Sequence, residues 1–167
     1  MGNYALLVLA GLMLGGCASY DGRGLQPGVS TVAQVEALMG TPAERRATAD
    51  GGSVEVFARG PLGRHTYLVN FGADGVMPNI DQVLTYANAD KVIPGATTRA
   101  QVRELLGPPS DISRLPRQER EVWEYKWLHY QERRVLWVQF SDDGIVRESM
   151  NLHDFAADPV SGRGRRK

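Results

Sequence analysis

The sequence predicts an α+β protein of two tandem repeats, each a short helix (or helix pair) packed on a three-stranded antiparallel meander sheet. Three observations lead there. The stretch 27–42, Pro-Gly-Val-Ser-Thr-Val-Ala-Gln-Val-Glu-Ala-Leu-Met-Gly-Thr-Pro, returns without a gap at 94–109 as Pro-Gly-Ala-Thr-Thr-Arg-Ala-Gln-Val-Arg-Glu-Leu-Leu-Gly-Pro-Pro (Gly28 to Gly95, 95 − 28 = 67). A second match sets 68–76 against 137–145 (137 − 68 = 69), each ending in a Gly turn and a β-branched residue. The segments after each helical stretch also alternate apolar and polar residues, as half-buried strands do. Matching helices followed by matching strands indicate a duplicated unit.

Each helix carries its own punctuation. Thr31 and Thr98 suit N-caps, with Gln34 and Gln101 three residues on as the other half of a capping box. Gly40 and Gly107 suit a left-handed closing residue, and Pro42 and Pro109 stop any continuation. Val35, Leu38 and Met39, and likewise Val102, Leu105 and Leu106, form one apolar stripe per helix. Helices of about nine residues do not persist alone in water, so each stripe needs a sheet beneath it.

Strands are expected at 53–59, 65–71 and 76–86, after a polar stretch at 43–52 that ends in the turn Asp50-Gly51-Gly52. Pro78 marks the third of these as an edge or a bulge. Residues 87–91 fit a helical turn leading into the second helix. Beyond it, 110–120 reads as a charged loop, followed by strands at 121–128, 134–141 and 145–152. Asp74-Gly75 and Asp143-Gly144 fall at equivalent hairpin turns.

The chain has 167 residues, a formal net charge of +0 and one cysteine. This balance points to neither a nucleic-acid nor an acidic partner. The apolar run 4–16 carries no charge and is too short to span a bilayer. It ends in Leu14-Gly15-Gly16-Cys17, which resembles the lipobox of bacterial lipoproteins, although the residues before the run lack Lys and Arg. The resemblance implies cleavage before Cys17 and its modification by fatty acyl (palmitate-type) chains. Ala18 rather than Asp follows, which by the same resemblance implies the outer membrane. The expected organisation is a signal peptide at 1–16, a tether at 17–24, repeats at 25–90 and 91–155, and a disordered basic tail at 156–167.

The lipobox, the Pro-Gly-x-Ser/Thr-Thr-x-x-Gln-Val-x-x-Leu-x-Gly-x-Pro helix and the strand ending Phe-x-x-Asp-Gly-Val/Ile together resemble the SmpA/OmlA (BamE-like) family of outer-membrane lipoproteins. The resemblance implies a lipid-anchored, periplasm-facing protein of a Gram-negative cell, acting as a non-enzymatic scaffold or accessory factor in β-barrel assembly or envelope integrity. Its implied partners are the outer membrane, through the lipid on Cys17, and envelope proteins including the barrel-assembly machine. No cofactor besides that lipid, no nucleic acid and no small-molecule substrate are implied. The best-known member carries one copy of the unit, so this chain resembles a tandem two-repeat member of the family. The two copies here also resemble, more distantly, the tandem-repeat β-lactamase inhibitory proteins, so the alternative function is a periplasmic inhibitor or binding module that engages an enzyme with its sheets.

Residues that carry chemistry are sparse. His65, His129 and His153 are far apart without companion motifs, and Asp142-Asp143-Gly144 lacks the spaced oxygens of a cation loop. No nucleophile elbow or phosphate loop is present. The interest therefore shifts to sheet faces. Tyr67, Val69 and Phe71, with Leu136, Val138 and Phe140, are expected under the helices. Leu68, Asn70, Trp137 and Gln139 then point to the uncovered faces and are candidate partner-binding residues. Trp123, Tyr125 and Trp127 share one side of their strand, and core packing is the preferred reading for them. Trp127 is kept as a candidate for an exposed aromatic surface with Trp137.

Overall fold

A computed structural model describes residues 21–58 and 63–157. The signal-like run, Cys17 and the tail from 158 onward lie outside the described residues. The helices are α1 (Val32–Met39), α2 (Tyr86–Ala89) and α3 (Arg99–Leu106). In α3 the capping box is reciprocal: the Gln101 amide donates to Thr98 Oγ1 at 3.2 Å while Gln101 Oε1 accepts from the Thr98 amide at 2.8 Å. In α1 the Thr31–Gln34 capping box is also present, with Gln34 Oε1 accepting from the Thr31 amide at 2.9 Å. Gly40 and Gly107 close the helices at φ 88° and 77° with ψ −164° in both. That ψ departs from the expected left-handed helical cap and lies in a region that only glycine occupies without strain.

The expected pair of helix-on-three-strand repeats is corrected by the sheets themselves. Two four-stranded antiparallel sheets dominate the fold, in order β1-β2-β3-β4 and β5-β6-β7-β8. The first comprises β1 (Glu44–Ala47), β2 (Ser53–Ala58), β3 (Thr66–Phe71) and β4 (Asn79–Gln82). The second comprises β5 (Asp111–Leu115), β6 (Arg120–His129), β7 (Glu132–Phe140) and β8 (Val146–His153). The added strands β1 and β5 arise in stretches that read as polar loops. Each is an edge strand held by backbone pairing to its neighbour, Arg45 opposite Glu55 and Ser113 opposite Val122. Charged side chains are common on edges because they discourage further pairing, so such strands lack apolar alternation. β4 is only four residues long and starts after Pro78, at the other edge of the first sheet.

Two cores form. Val35 and Met39 of α1 pack with Phe57, Val69, Phe71 and Met77. Val102 and Leu106 of α3 pack with Trp123, Tyr125, Trp127, Leu136, Val138, Phe140 and Val146. Leu84, Ala89 and Val92 also join this second core, so the segment around α2 belongs physically with the second sheet. Tyr86 sets its ring edge-on against Trp127, with centroids 4.7 Å apart. The helix-facing residues expected on the two middle strands accordingly lie inside, Tyr67 only partly.

α3 has a second neighbour. At its end, a Cβ on Gly107 would stand 2.8 Å from Thr66 Cγ2 and 3.2 Å from Val56 Cγ1 on the outer face of the first sheet. Arg103 pairs with Glu44 of β1, and Gln101, Glu104 and Leu105 share a cleft with Leu68 and Asp81. The first sheet is thus covered by α1 on one face and by α3 on the other, and Val56 is 0% exposed. Beyond β8, the short 3-10 turn Phe155–Ala157 is tied back through Asp154, whose carboxylate takes Arg64 Nη2 at 2.6 Å.

Candidate protein-binding surface

Strand register defines the surface. Residues directly opposite each other share a face. Trp137 stands between Glu124 and Met150, with Asp111 opposite Glu124, so these four make one row across the outer face of the second sheet. The next row holds Lys126, Val135 and Leu152. A groove of about 330 Å³ runs here, lined by Glu124, Lys126, Val135, Trp137, Leu152 and Phe155. Leu152 and Phe155 are exposed, and Trp137 is 37% exposed. Neighbouring apolar side chains open to solvent in this way are characteristic of contact surfaces.

The rim is polar and held in place. Trp137 Nε1 donates to Glu124 Oε2 at 2.9 Å, and Lys126 Nζ lies 3.1 Å from Glu124 Oε1. Glu124 therefore tethers the indole through its N–H while the ring stays partly exposed. A large, orientation-locked aromatic loses little conformational freedom on binding, which suits an interface anchor.

The other candidates separate by burial. Trp127 is 2% exposed and belongs to the second core, where α3 and Tyr86 cover it; the surface reading of Trp127 is corrected. Gln139 is 5% exposed and its Oε1 accepts from Arg120 Nη1 at 3.4 Å, so it lies beneath Arg120 rather than open. Leu68 lines the cleft against α3 and is not on a free face. Asn70 donates through Nδ2 to Asn79 Oδ1 at 3.0 Å within the first sheet. Trp137 lies beside the apolar groove of the second sheet, and Asn70 stays partly exposed on the first. Leu152, Phe155 and Asp111 escaped sequence reading because β8 was expected without its neighbouring 3-10 turn and β5 was read as loop.

Titratable groups elsewhere support structure. Ser141 Oγ lies 2.5 Å from Asp143 Oδ1 and, with the Ile145 amide and Arg147, holds the Asp143 carboxyl below the usual carboxylate range. This stabilises the β7–β8 turn. Burial pushes the Tyr125 phenol well above its ordinary range, and its hydroxyl donates to the Gly107 carbonyl at 3.2 Å. His129 packs edge-on against Tyr86, and His153 packs against Phe155. Among the described residues no group of three His, Cys, Asp or Glu side chains is placed to hold a metal ion. No described helix is long and apolar enough to cross a membrane.

The second sheet thus carries α3 on one face and, among the described residues, a groove lined by exposed apolar side chains on the other. Residues 82–150 match the family described as the outer membrane protein assembly factor BamE domain. The match begins at the end of β4 and takes in α2, α3 and most of the second sheet, the elements that build the second core. No curated protein matches the chain. Among solved structures, the crystal structure of a DUF4309 family protein (YjgB) from Bacillus subtilis is similar at 18% identity, covering 80% of this chain and 88% of that one with a TM-score of 0.31.

Proposed function

We propose that this protein is an outer-membrane lipoprotein, anchored through Cys17 and facing the periplasm, that serves as a non-enzymatic accessory factor in the assembly of outer-membrane proteins. The observation that carries the reading is the BamE-matching segment at 82–150, whose second sheet keeps one face open around Trp137. The anchor rests on Leu14-Gly15-Gly16-Cys17 and the apolar run before it. Acyl chains on Cys17 hold a domain at the membrane surface without spanning it, which confines it to the layer where barrel proteins are inserted. Confinement raises the effective concentration of partners, so a modest interface suffices.

Two experiments test this. Metabolic labelling with a fatty acid is expected to label the wild type and not Cys17→Ala; an unlabelled, uncleaved wild type removes the anchor. Purification of the full-length protein in mild detergent is expected to recover subunits of the barrel-assembly machine. Recovery of a soluble hydrolase instead favours an inhibitor.

A further inference from the structure

We propose that the open face of the second sheet is a docking site for an amphipathic α-helix of a partner protein, carrying a basic side chain near its C-terminal end. The inference rests on the reading of this protein as a partner-binding accessory factor and names the kind of partner. The fold contains its own precedent. On the first sheet, the row Glu44, Val56, Leu68 and Asp81 lies beneath α3, and Arg103 in the last turn of that helix pairs with Glu44. On the second sheet, the row Asp111, Glu124, Trp137 and Met150 occupies the same register and, among the described residues, has no α-helix over it. Trp137 stands where Leu68 stands, and Asp111 stands where Glu44 takes its arginine.

The chemistry of the row specifies the occupant. Apolar Trp137, Met150, Val135 and Leu152 suit the apolar stripe of a helix, as in helix-in-groove recognition. Asp111 and Glu124 place two carboxylates on the β5–β6 side, of which Glu124 is paired with Lys126. A basic residue on the docked helix completes that side as Arg103 does on the first sheet. A second copy of this chain fits poorly. Its α1 carries Glu36 at the position that corresponds to Arg103, which sets a carboxylate against Asp111. The chain's own tail has the right charge in Arg163, Arg165, Arg166 and Lys167, but its Pro159, Gly162 and Gly164 break any apolar helical pattern.

The test is site-specific photocrosslinking in living cells, with the photoreactive residue at Met150 and, separately, at Leu152 of the full-length protein. Sequencing of the adduct is expected to show a partner peptide with apolar residues at helical spacing and an Arg or Lys beside them. Asp111→Lys is expected to reduce that adduct about tenfold, since a reversed charge at the rim repels the basic residue. An adduct to residues 158–167, to a second copy of the chain or to lipid at both positions overturns the proposal, as does no adduct at either. A helical partner outside barrel assembly keeps this inference and removes the proposed function; recovery of barrel-assembly subunits in detergent without a helical adduct does the reverse.

Discussion

The two sheets share strand order and helix punctuation, yet among the described residues helices cover the first on both faces and the second on one. Their inner faces differ as well. Opposite Val69 in the first sheet stands Glu55, 0% exposed and paired with Arg45 at 2.6 Å. Opposite Val138 in the second stands Trp123, packed edge-on against Phe140. Burying a carboxylate requires a fixed cation, and Arg45 meets this by reaching both Glu55 and Glu36 of α1. Burying an indole requires apolar neighbours and one acceptor for its N–H, and Trp123 Nε1 donates to Glu121 Oε1 at 2.7 Å. One backbone scheme thus carries an ion-paired core and an aromatic core, and its outer faces diverge in the same way. The first became an internal interface, and the second remained open for something else to occupy.

The widest expected contrast lies between the two tryptophans of the second sheet. Trp123→Ala removes a buried ring and should cost about 4 kcal/mol, read as a fall in the denaturant midpoint. Trp137→Ala should cost under about 1 kcal/mol while weakening partner capture. A comparable loss of stability at Trp137 means that its face is already covered. Glycines sharpen the contrast between the helices. Gly107→Ala meets both a positive φ and the side chains of Thr66 and Val56, for a cost of about 3 kcal/mol. Gly40→Ala meets the same backbone strain with nothing within 4 Å, for about 1 kcal/mol. Equal costs would remove the docking of α3 on the first sheet.

Caps should follow the same order on a smaller scale. Thr98→Ala loses a side-chain bond to the helix and should cost about 1 kcal/mol, whereas Thr31→Ala, which loses a weaker cap contact, should cost less. The smallest effect concerns pH. Because the folded carboxyl of Asp143 titrates below the unfolded one, its contribution is present above about pH 4 and is lost as pH falls through the lower, folded value. An NMR titration should find a midpoint under about 3.9 that rises in Ser141→Ala.

Much of this was legible in the sequence, and the reasons are physical. The Thr, Gln, Gly and Pro positions around each helix act locally, so they fix where α1 and α3 begin and end whatever packs on them. Alternation in 66–71 and 134–140 likewise gave the inner faces, because period-two patterning reflects burial directly. Edge strands escaped notice since Glu44–Ala47 and Asp111–Leu115 are stabilised through backbone pairing and carry charged side chains. Among the candidate site residues, Trp137 lay where alternation put it. Leu68 did not remain free because the position of α3 over the first sheet depends on how the two sheets meet, which no local pattern encodes. Trp127 and Gln139 were buried by neighbours distant in sequence, Tyr86 and Arg120.

The central claim is that the outer face at Trp137 is free in the isolated protein and occupied in the cell, whereas the matching face at Val56 is filled by the chain itself. Maleimide labelling of Trp137→Cys and Val56→Cys, each corrected for the parent protein, tests it directly in purified micelles and in native outer membranes. The expected result is rapid labelling at 137 in micelles, slowed by about tenfold in membranes, with position 56 protected in both. Labelling at 137 that is equally fast in both settings, or ready labelling at 56 in micelles, contradicts the account.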